Sequence, residues 1–328
     1  MGRVHTEQLH ADVRGMVAAL YDQQPEAAEA LRSELAPQAI AYESVEALLD
    51  TAQVDAAVIC TPTTAHFDQV MACRARGLHV LCEKPLADTR DNIVKLISES
   101  RSGELLLSVG YQRRYWSTYR TLRREVRSGR WGSVKFVSSH NYENWQQSIS
   151  GTWREDPNVN RGGFIGDAGS HKIDTAFDAT GLEPVEIFAR TETCGSDVEI
   201  SASVSARLTG GVPLTIDFVG CAQYLGESLC VHCEKADLII RDGRLFLGRS
   251  GGIEPFPEAE LEPNSNPDVG FLDVLSGQAE NIAGPECALP VFDFTNALIE
   301  SSRTGRNIVL GENIVLGENL GENIVLGE

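Results

Sequence analysis

Two short strings hold the residues whose types suit proton and hydride chemistry. In Gly77-Leu78-His79-Val80-Leu81-Cys82-Glu83-Lys84-Pro85 an amine follows an apolar run and is held between an acid and a proline. A loop lysine is ordinarily solvated, but at the mouth of a cofactor cleft its ammonium can stabilise a developing alkoxide. In Gly162-Gly163-Phe164-Ile165-Gly166-Asp167-Ala168-Gly169-Ser170-His171-Lys172-Ile173-Asp174, Asp167 and His171 are four apart. They share a face if one helix includes both. An imidazole, which titrates near neutral pH, can take a hydroxyl proton while hydride leaves the same carbon. Asp167 would raise its basicity or fix its tautomer. On its own, the same pair also suits a plain helix cap.

Hydride chemistry needs an acceptor. Met1-Gly2-Arg3-Val4-His5 reads as the tail of a G-x-G-x-x-G fingerprint whose third glycine is Gly2, in which backbone amides and a helix N-terminus hold a pyrophosphate. Asp22 stands about 20 positions on, where an acid binds ribose hydroxyls. Its carboxylate would repel a 2′-phosphate, so NAD is expected rather than NADP. Cys60-Thr61-Pro62-Thr63-Thr64-Ala65-His66 follows the apolar run Ala56 to Ile59, at the carboxyl end of a strand, where doubly wound folds bind cofactors.

These residues need a scaffold. From residue 13 to about 108, short apolar runs (Val13 to Leu20, Val45 to Leu49, Val54 to Cys60, His79 to Leu81, Leu105 to Val109) alternate with helical segments such as Pro25 to Leu35. That alternation implies βαβ units around a parallel sheet. Beyond about residue 131 the period is two: Ile200, Ala202, Val204, Ala206 and Leu208 are apolar, and Thr209-Gly210-Gly211-Val212 turns the chain into Leu214, Ile216 and Phe218. Asp242-Gly243 makes a second such turn, so an antiparallel sheet is expected there. Tyr115, Tyr119, Leu122 and Val126 interleave with Arg113, Arg114, Arg120, Arg123, Arg124, Arg127 and Arg130, the pattern of an amphipathic helix with a solvated basic face.

The 328 residues exceed what one core usually serves. We place a dinucleotide-binding domain at 1–110, an α+β domain for substrate and oligomerisation at 111–310, and a repetitive tail at 311–328. The six letters of Asn307 to Glu312 recur at 313–318 and 323–328, which reads as a duplication or sequence artefact without function. A net charge of −19 repels nucleic acid and anionic lipid. No apolar run approaches the ~20 residues that cross a bilayer, and no signal peptide is visible. The eight scattered cysteines suit a reducing, cytoplasmic setting. Cys230 and Cys233 lack a second pair at zinc-ligand spacing, so no metal is expected.

Together the strings at 82–87 (C-E-K-P-L-A) and 162–171 (G-G-F-I-G-D-A-G-S-H) resemble the glucose-fructose oxidoreductase, inositol dehydrogenase and rhizopine-catabolism family of dehydrogenases, and the similarity runs from Gly2 to about Leu310. The resemblance implies a Rossmann domain followed by an α+β domain whose open, mostly antiparallel sheet forms a homodimer or homotetramer. It makes Lys84, Asp167 and His171 the catalytic set, with Lys84 and His171 meeting at one crevice. It puts Gly2, Arg3, Asp22, Thr61, Pro62, Thr63, His66, Glu83 and Lys84 at NAD, and Arg113, Tyr115, Trp153 and Arg154 at a sugar or polyol substrate. The Lys84-Pro85 bond is expected to be cis. The alternatives are an NAD-dependent glycosidase of the same fold and a non-catalytic dinucleotide sensor. One departure stands out: the first strand and first two glycines of the fingerprint are absent, which reads as an N-terminal truncation. Restoring roughly a dozen upstream residues, enough for that strand and its glycines, is expected to raise NAD affinity and melting temperature. Equal values for the two chains would refute this reading.

Overall fold

The computed structural model describes residues 1–311, so the tail from 312 onward lies outside the described residues. In chain order the elements are α1 (Gly2–Ala11), β1 (Ala19–Leu20), α2 (Pro25–Leu35), β2 (Ile40–Ala41), α3 (Val45–Thr51), β3 (Ala56–Ile59), α4 (Thr63–Ala75), β4 (His79–Cys82), α5 (Arg90–Ser102) and β5 (Leu107–Val109). There follow α6 (Ser117–Arg127), β6 (Val134–Tyr142), α7 (Trp145–Ile149), α8 (Gly163–Gly166), α9 (Ser170–Thr180), β7 (Pro184–Glu192), β8 (Ser201–Leu208), β9 (Pro213–Val219) and β10 (Gly226–Cys233). Last come β11 (Asp237–Arg241), β12 (Arg244–Arg249), β13 (Gly252–Pro255), α10 (Pro267–Leu275), α11 (Ala288–Thr304) and β14 (Ile308–Val309). They form two compact units, Met1–Tyr115 with Ser265–Ala288, and Trp116–Asn264 with Leu289 to Gly311. A single boundary at 110/111 misses the return of 265–288 to the first unit.

The first unit is of Rossmann type. β1 and β2 pair in parallel, and β3, β4 and β5 form a second parallel sheet in that order. Among the described residues no strand joins β1 to β3. Val80, Leu81 and Cys82 on β4 are fully buried, whereas most of β3, at its sheet's edge, stays partly accessible. Two apolar runs differ from their expected form. Of Val13 to Leu20, only Ala19–Leu20 is strand, because Asp12 accepts both the backbone N–H and the guanidinium of Arg14 and turns the chain, leaving Val13 and Met16 exposed. Val45 to Leu49 lies in α3, whose N-terminus is capped by the Ser44 hydroxyl accepting from Ala47 N–H at 3.0 Å.

The second unit is built on a nine-stranded sheet ordered β13-β12-β11-β10-β6-β9-β8-β7-β14. Only β6 and β9 pair in parallel. The period-two reading holds: on β8, Ala202, Val204, Ala206 and Leu208 are buried while Ser203, Ser205 and Arg207 are exposed. Asp242 and Gly243, with φ of 45° and 77°, make the tight turn between β11 and β12. The first copy of the terminal repeat is structural here, since Ile308 on β14 pairs with Ile187 on β7. Helix α6 buries Tyr119, Leu122 and Val126 as expected. Its basic face is paired rather than simply solvated: Arg124 meets Glu125 and Glu262, Arg123 and Arg127 meet Asp178, and Arg130 meets Glu125. Among the described residues no helix is long and apolar enough to cross a membrane.

The glycines of 162–169 have a steric cause. Gly163 sits at φ 52°, and a Cβ there would stand 2.2 Å from the Glu199 carbonyl oxygen. That close approach lets Phe164 N–H donate to the same oxygen at 2.7 Å, which pins the segment to the start of β8. Gly163→Ala combines this collision with left-handed strain of about 1–3 kcal/mol. It is expected to lower the melting temperature by several degrees, whereas Gly251→Ala, with open space around its Cβ, leaves it nearly unchanged. Matching melting curves for the two variants would overturn the steric account.

Candidate functional site

In the first unit the expected cofactor residues gather at the carboxyl ends of parallel strands. Asp22 follows β1, Thr61 and Pro62 follow β3 with Thr63 opening α4, and Glu83 and Lys84 follow β4. The Lys84-Pro85 bond is cis. Around Lys84 the backbone is held on both sides by buried groups. The Glu83 carboxylate accepts Lys84 N–H at 3.2 Å through Oε2 and faces His5 Nε2 at 3.1 Å through Oε1. His5 Nδ1 in turn lies 2.9 Å from Oδ2 and 3.0 Å from Oδ1 of Asp268, whose side chain is fully buried. On the other side, His66 Nδ1 lies 2.8 Å from Pro85 O and its Nε2 lies 2.8 Å from Thr61 O. His66 thus fastens the β4 turn to the β3 turn.

The electrostatics of the two histidines differ. Burial works against a charge on His5, but hydrogen bonds with Asp268, the Cys60 thiol and Glu83 outweigh it and raise its pKa to about 12. Burial likewise opposes the charge on Glu83, yet His5 and the Lys84 ammonium hold its carboxyl below the usual range. For His66 burial wins and pushes the imidazole down, against two carbonyl acceptors that favour a doubly protonated ring. A neutral ring donates to only one of them.

In the second unit, Asp167 lies between α8 and α9, outside either helix, and His171 is the second residue of α9. The premise that one helix carries both therefore fails, because the glycine-rich packing breaks the helix at 167–169. Asp167 is positioned differently: its Oδ2 accepts from Arg154 Nε at 2.8 Å, and its backbone oxygen accepts from the Ser170 hydroxyl at 2.6 Å. The Arg154 guanidinium also stacks 4.3 Å from the centre of the Trp153 ring. Helix α9 is tied to β10 by a buried ion pair between Lys172 and Glu227, and Glu227 also accepts the Tyr119 hydroxyl at 2.6 Å.

Several expected roles change. Tyr115, expected at the substrate, is a core residue of the first unit with 4% exposure, and burial pushes its phenol up. His66, expected at NAD, has both ring nitrogens on backbone oxygens and acts on the turns instead. Arg3 forms a bidentate pair with Glu34 on α2. Asp22 caps its own loop, accepting Gln24 N–H at 2.9 Å. Trp153 remains accessible, 41% exposed, and Arg113 lies in the single-turn helix Gln112–Tyr115 after β5. Sequence reasoning missed His5 and Asp268. His5 stood inside the glycine string but carried no signal beside it, and Asp268 is 263 residues away.

The residues fit a dinucleotide. Helix α1 opens at Gly2, where a Cβ would meet nothing within 4 Å, and a helix N-terminus is the kind of group that receives a phosphate. The Asp22 carboxylate stands after β1, and after β3 stand the hydroxyls of Thr61, which donates to Gln69 Oε1 at 2.7 Å, and Thr63.

The His5 charge gives stability a pH signature. An unfolded imidazole loses its proton near pH 6.5, whereas the folded one keeps it to about 12. The stabilisation is complete below about pH 6.5 and declines as pH rises toward the folded value, by at most about 1.4 kcal/mol per pH unit. The gap in melting temperature between the native chain and His5→Gln is expected to be widest near pH 6 and to narrow by pH 9. Parallel curves across that range would show that no proton is held there.

Comparisons with known proteins agree with this geometry. Residues 1–111 match the family model described as an oxidoreductase family with NAD-binding Rossmann fold, and residues 119–239 match the GFO/IDH/MocA C-terminal domain. The chain is 32% identical over 293 residues to the rhizopine catabolism protein MocA of Rhizobium meliloti, covering 86% of this chain and 82% of that one. Inositol 2-dehydrogenase of Rhizobium meliloti is 28% identical over 192 residues, covering 58% of this chain and 54% of that one. The WlbA dehydrogenase of Bordetella pertussis, solved in complex with NADH and UDP-GlcNAcA, shares the fold with a TM-score of 0.81 at 20% identity, over 95% of this chain and 96% of that one. A Rossmann unit with a fixed Glu83-Lys84-Pro85 turn, joined to a sheet domain carrying Asp167 and His171, thus places this chain in the Gfo/Idh/MocA family of oxidoreductases.

Proposed function

We propose that the protein oxidises a secondary hydroxyl of a sugar or inositol-like polyol, with NAD as its coenzyme. The observation that carries the reading is the Lys84 turn, whose backbone is clamped by Glu83 with His5 on one side and by His66 on the other. Such clamping fixes the backbone from which the Lys84 amine reaches, one requirement of a positioned catalytic group. Bound NAD would supply the hydride acceptor. The α1 N-terminus at Gly2, together with Asp22, Thr61, Pro62, Thr63, Glu83 and Lys84, would hold it.

The remaining roles fall to the chain's own groups. Lys84 polarises the substrate hydroxyl, and His171 removes its proton. Asp167, itself oriented by Arg154, sets the electrostatics beside that base. Trp153 offers an apolar face to a sugar ring and Arg113 offers forked donors to its hydroxyls. The names of the relatives, rhizopine catabolism and inositol 2-dehydrogenase, support a polyhydroxylated substrate.

The test is a screen of inositols, aldoses and aldonic acids with NAD and NADP in parallel, read as net reduced coenzyme. Turnover with NAD is expected, and His171→Ala is expected to lower kcat by about 10²–10⁴-fold while NAD binding persists. Glycoside cleavage without net NADH, coenzyme binding without any turnover, or unchanged turnover in the variant would each overturn the assignment.

A further inference from the structure

Two of the eight cysteines depart from the buried, inert character that the sequence suggests. Cys194 and Cys221 are both exposed, and their sulfur atoms lie 3.7 Å apart. Their approach follows from sheet register. Ser201, the first residue of β8, pairs with Glu192 on one flank and with Val219 on the other. Each cysteine stands two residues beyond one of those partners, so both chains close over the end of β8. The Ser201 hydroxyl completes the group, 3.5 Å from Cys194 Sγ.

The pair is held rather than left to swing. Gln146 at the start of α7 donates through Nε2 to Cys194 O at 2.9 Å, and through its backbone N–H to Gly220 O at 2.9 Å. One residue thereby anchors both cysteine segments. The 3.7 Å between the sulfur atoms has to close to a bond of about 2.05 Å. Access rather than acidity sets the pair apart: Cys73, Cys82 and Cys233 are buried, whereas Cys194 and Cys221 are exposed, even though burial and the Cys194 thiol push the Cys221 thiol up.

We propose that Cys194 and Cys221 form a reversible intramolecular disulfide by exchange with a low-molecular-weight disulfide of the glutathione class. One protein thiolate attacks the small disulfide, forming a mixed disulfide and releasing one small thiol. The second protein thiolate then attacks the protein sulfur of that bond and releases the other. The two cysteines are oxidised, the small disulfide is reduced to two thiols, and the two cysteine protons end on them. The bond joins the β7–β8 connection to the β9–β10 connection beside α7, the helix that leads into Trp153 and Arg154. It rests on the thiol geometry alone and is independent of the activity proposed above.

The experiment equilibrates the full chain with oxidised and reduced glutathione at graded ratios, traps the thiols by acid and alkylation, and reads intact mass and peptide maps. Expected is the loss of two hydrogens with a cross-link between the peptides of Cys194 and Cys221, reversed by excess reduced glutathione. Cys194→Ser and Cys221→Ser, both at exposed positions, are expected to carry one glutathione adduct each instead of the cross-link, and oxidation is expected to raise the melting temperature of the native chain but not of the double serine variant. Both thiols remaining alkylable in oxidised glutathione, separate adducts on each in the native chain, or a cross-link through another cysteine would overturn the proposal.

Discussion

A single buried positive charge organises the first unit. His5 on α1 lies between Asp268 on α10 and Glu83 after β4, so three segments far apart in the chain meet at one imidazole. Without that cation the buried carboxyl groups of Asp268 and Glu83 would lose their shared partner, which costs more than a surface ion pair returns. With it, Glu83 keeps one oxygen for the cation and turns the other to Lys84 N–H. Gly110 belongs to the same arrangement, because a Cβ there would stand 2.9 Å from Glu83 Oε1. The backbone at Lys84 is thus fixed by a charge network.

The second unit holds Asp167 and His171 by a different device. Its acid and imidazole are placed by backbone contact, with Gly163 pressed against the start of β8, and by the Lys172–Glu227 pair that holds α9 to β10. Arg154 then fixes the Asp167 carboxylate. Breaking a buried pair such as Lys172–Glu227 by removing one partner typically costs about 3–5 kcal/mol. Position here depends on steric fit at Gly163 together with the ion pairs of Lys172 with Glu227 and Arg154 with Asp167.

What was legible in the sequence follows the range over which its signals act. The hairpin at Thr209 to Val212, the turn at Asp242-Gly243 and the buried face of α6 are local patterns, and each appears where its period places it. The Glu83-Lys84-Pro85 and Gly162 to His171 strings were readable because unusual residues are crowded into few positions. Arg154 was visible as a residue near the site but not as the partner of Asp167, since nothing in spacing says which of several acids an arginine meets. The burial of Tyr115 in the first unit is likewise not announced by its place beside arginines. Asp268 could not be found at all, because its meaning exists only once residues 263 positions apart are brought together.

That separation also bears on how the protein is made. The chain leaves the first unit after Tyr115, returns at Ser265 and departs again after Ala288. A ribosome therefore finishes most of the second unit before it releases the helix that carries the counterion of His5. Until then the nascent amino-terminal half holds an incomplete charge cluster and an open flank. Its completion is coupled to the emergence of α10, so a stalled or shortened translation product would lack a settled dinucleotide fold even though most of that fold's residues had been synthesised.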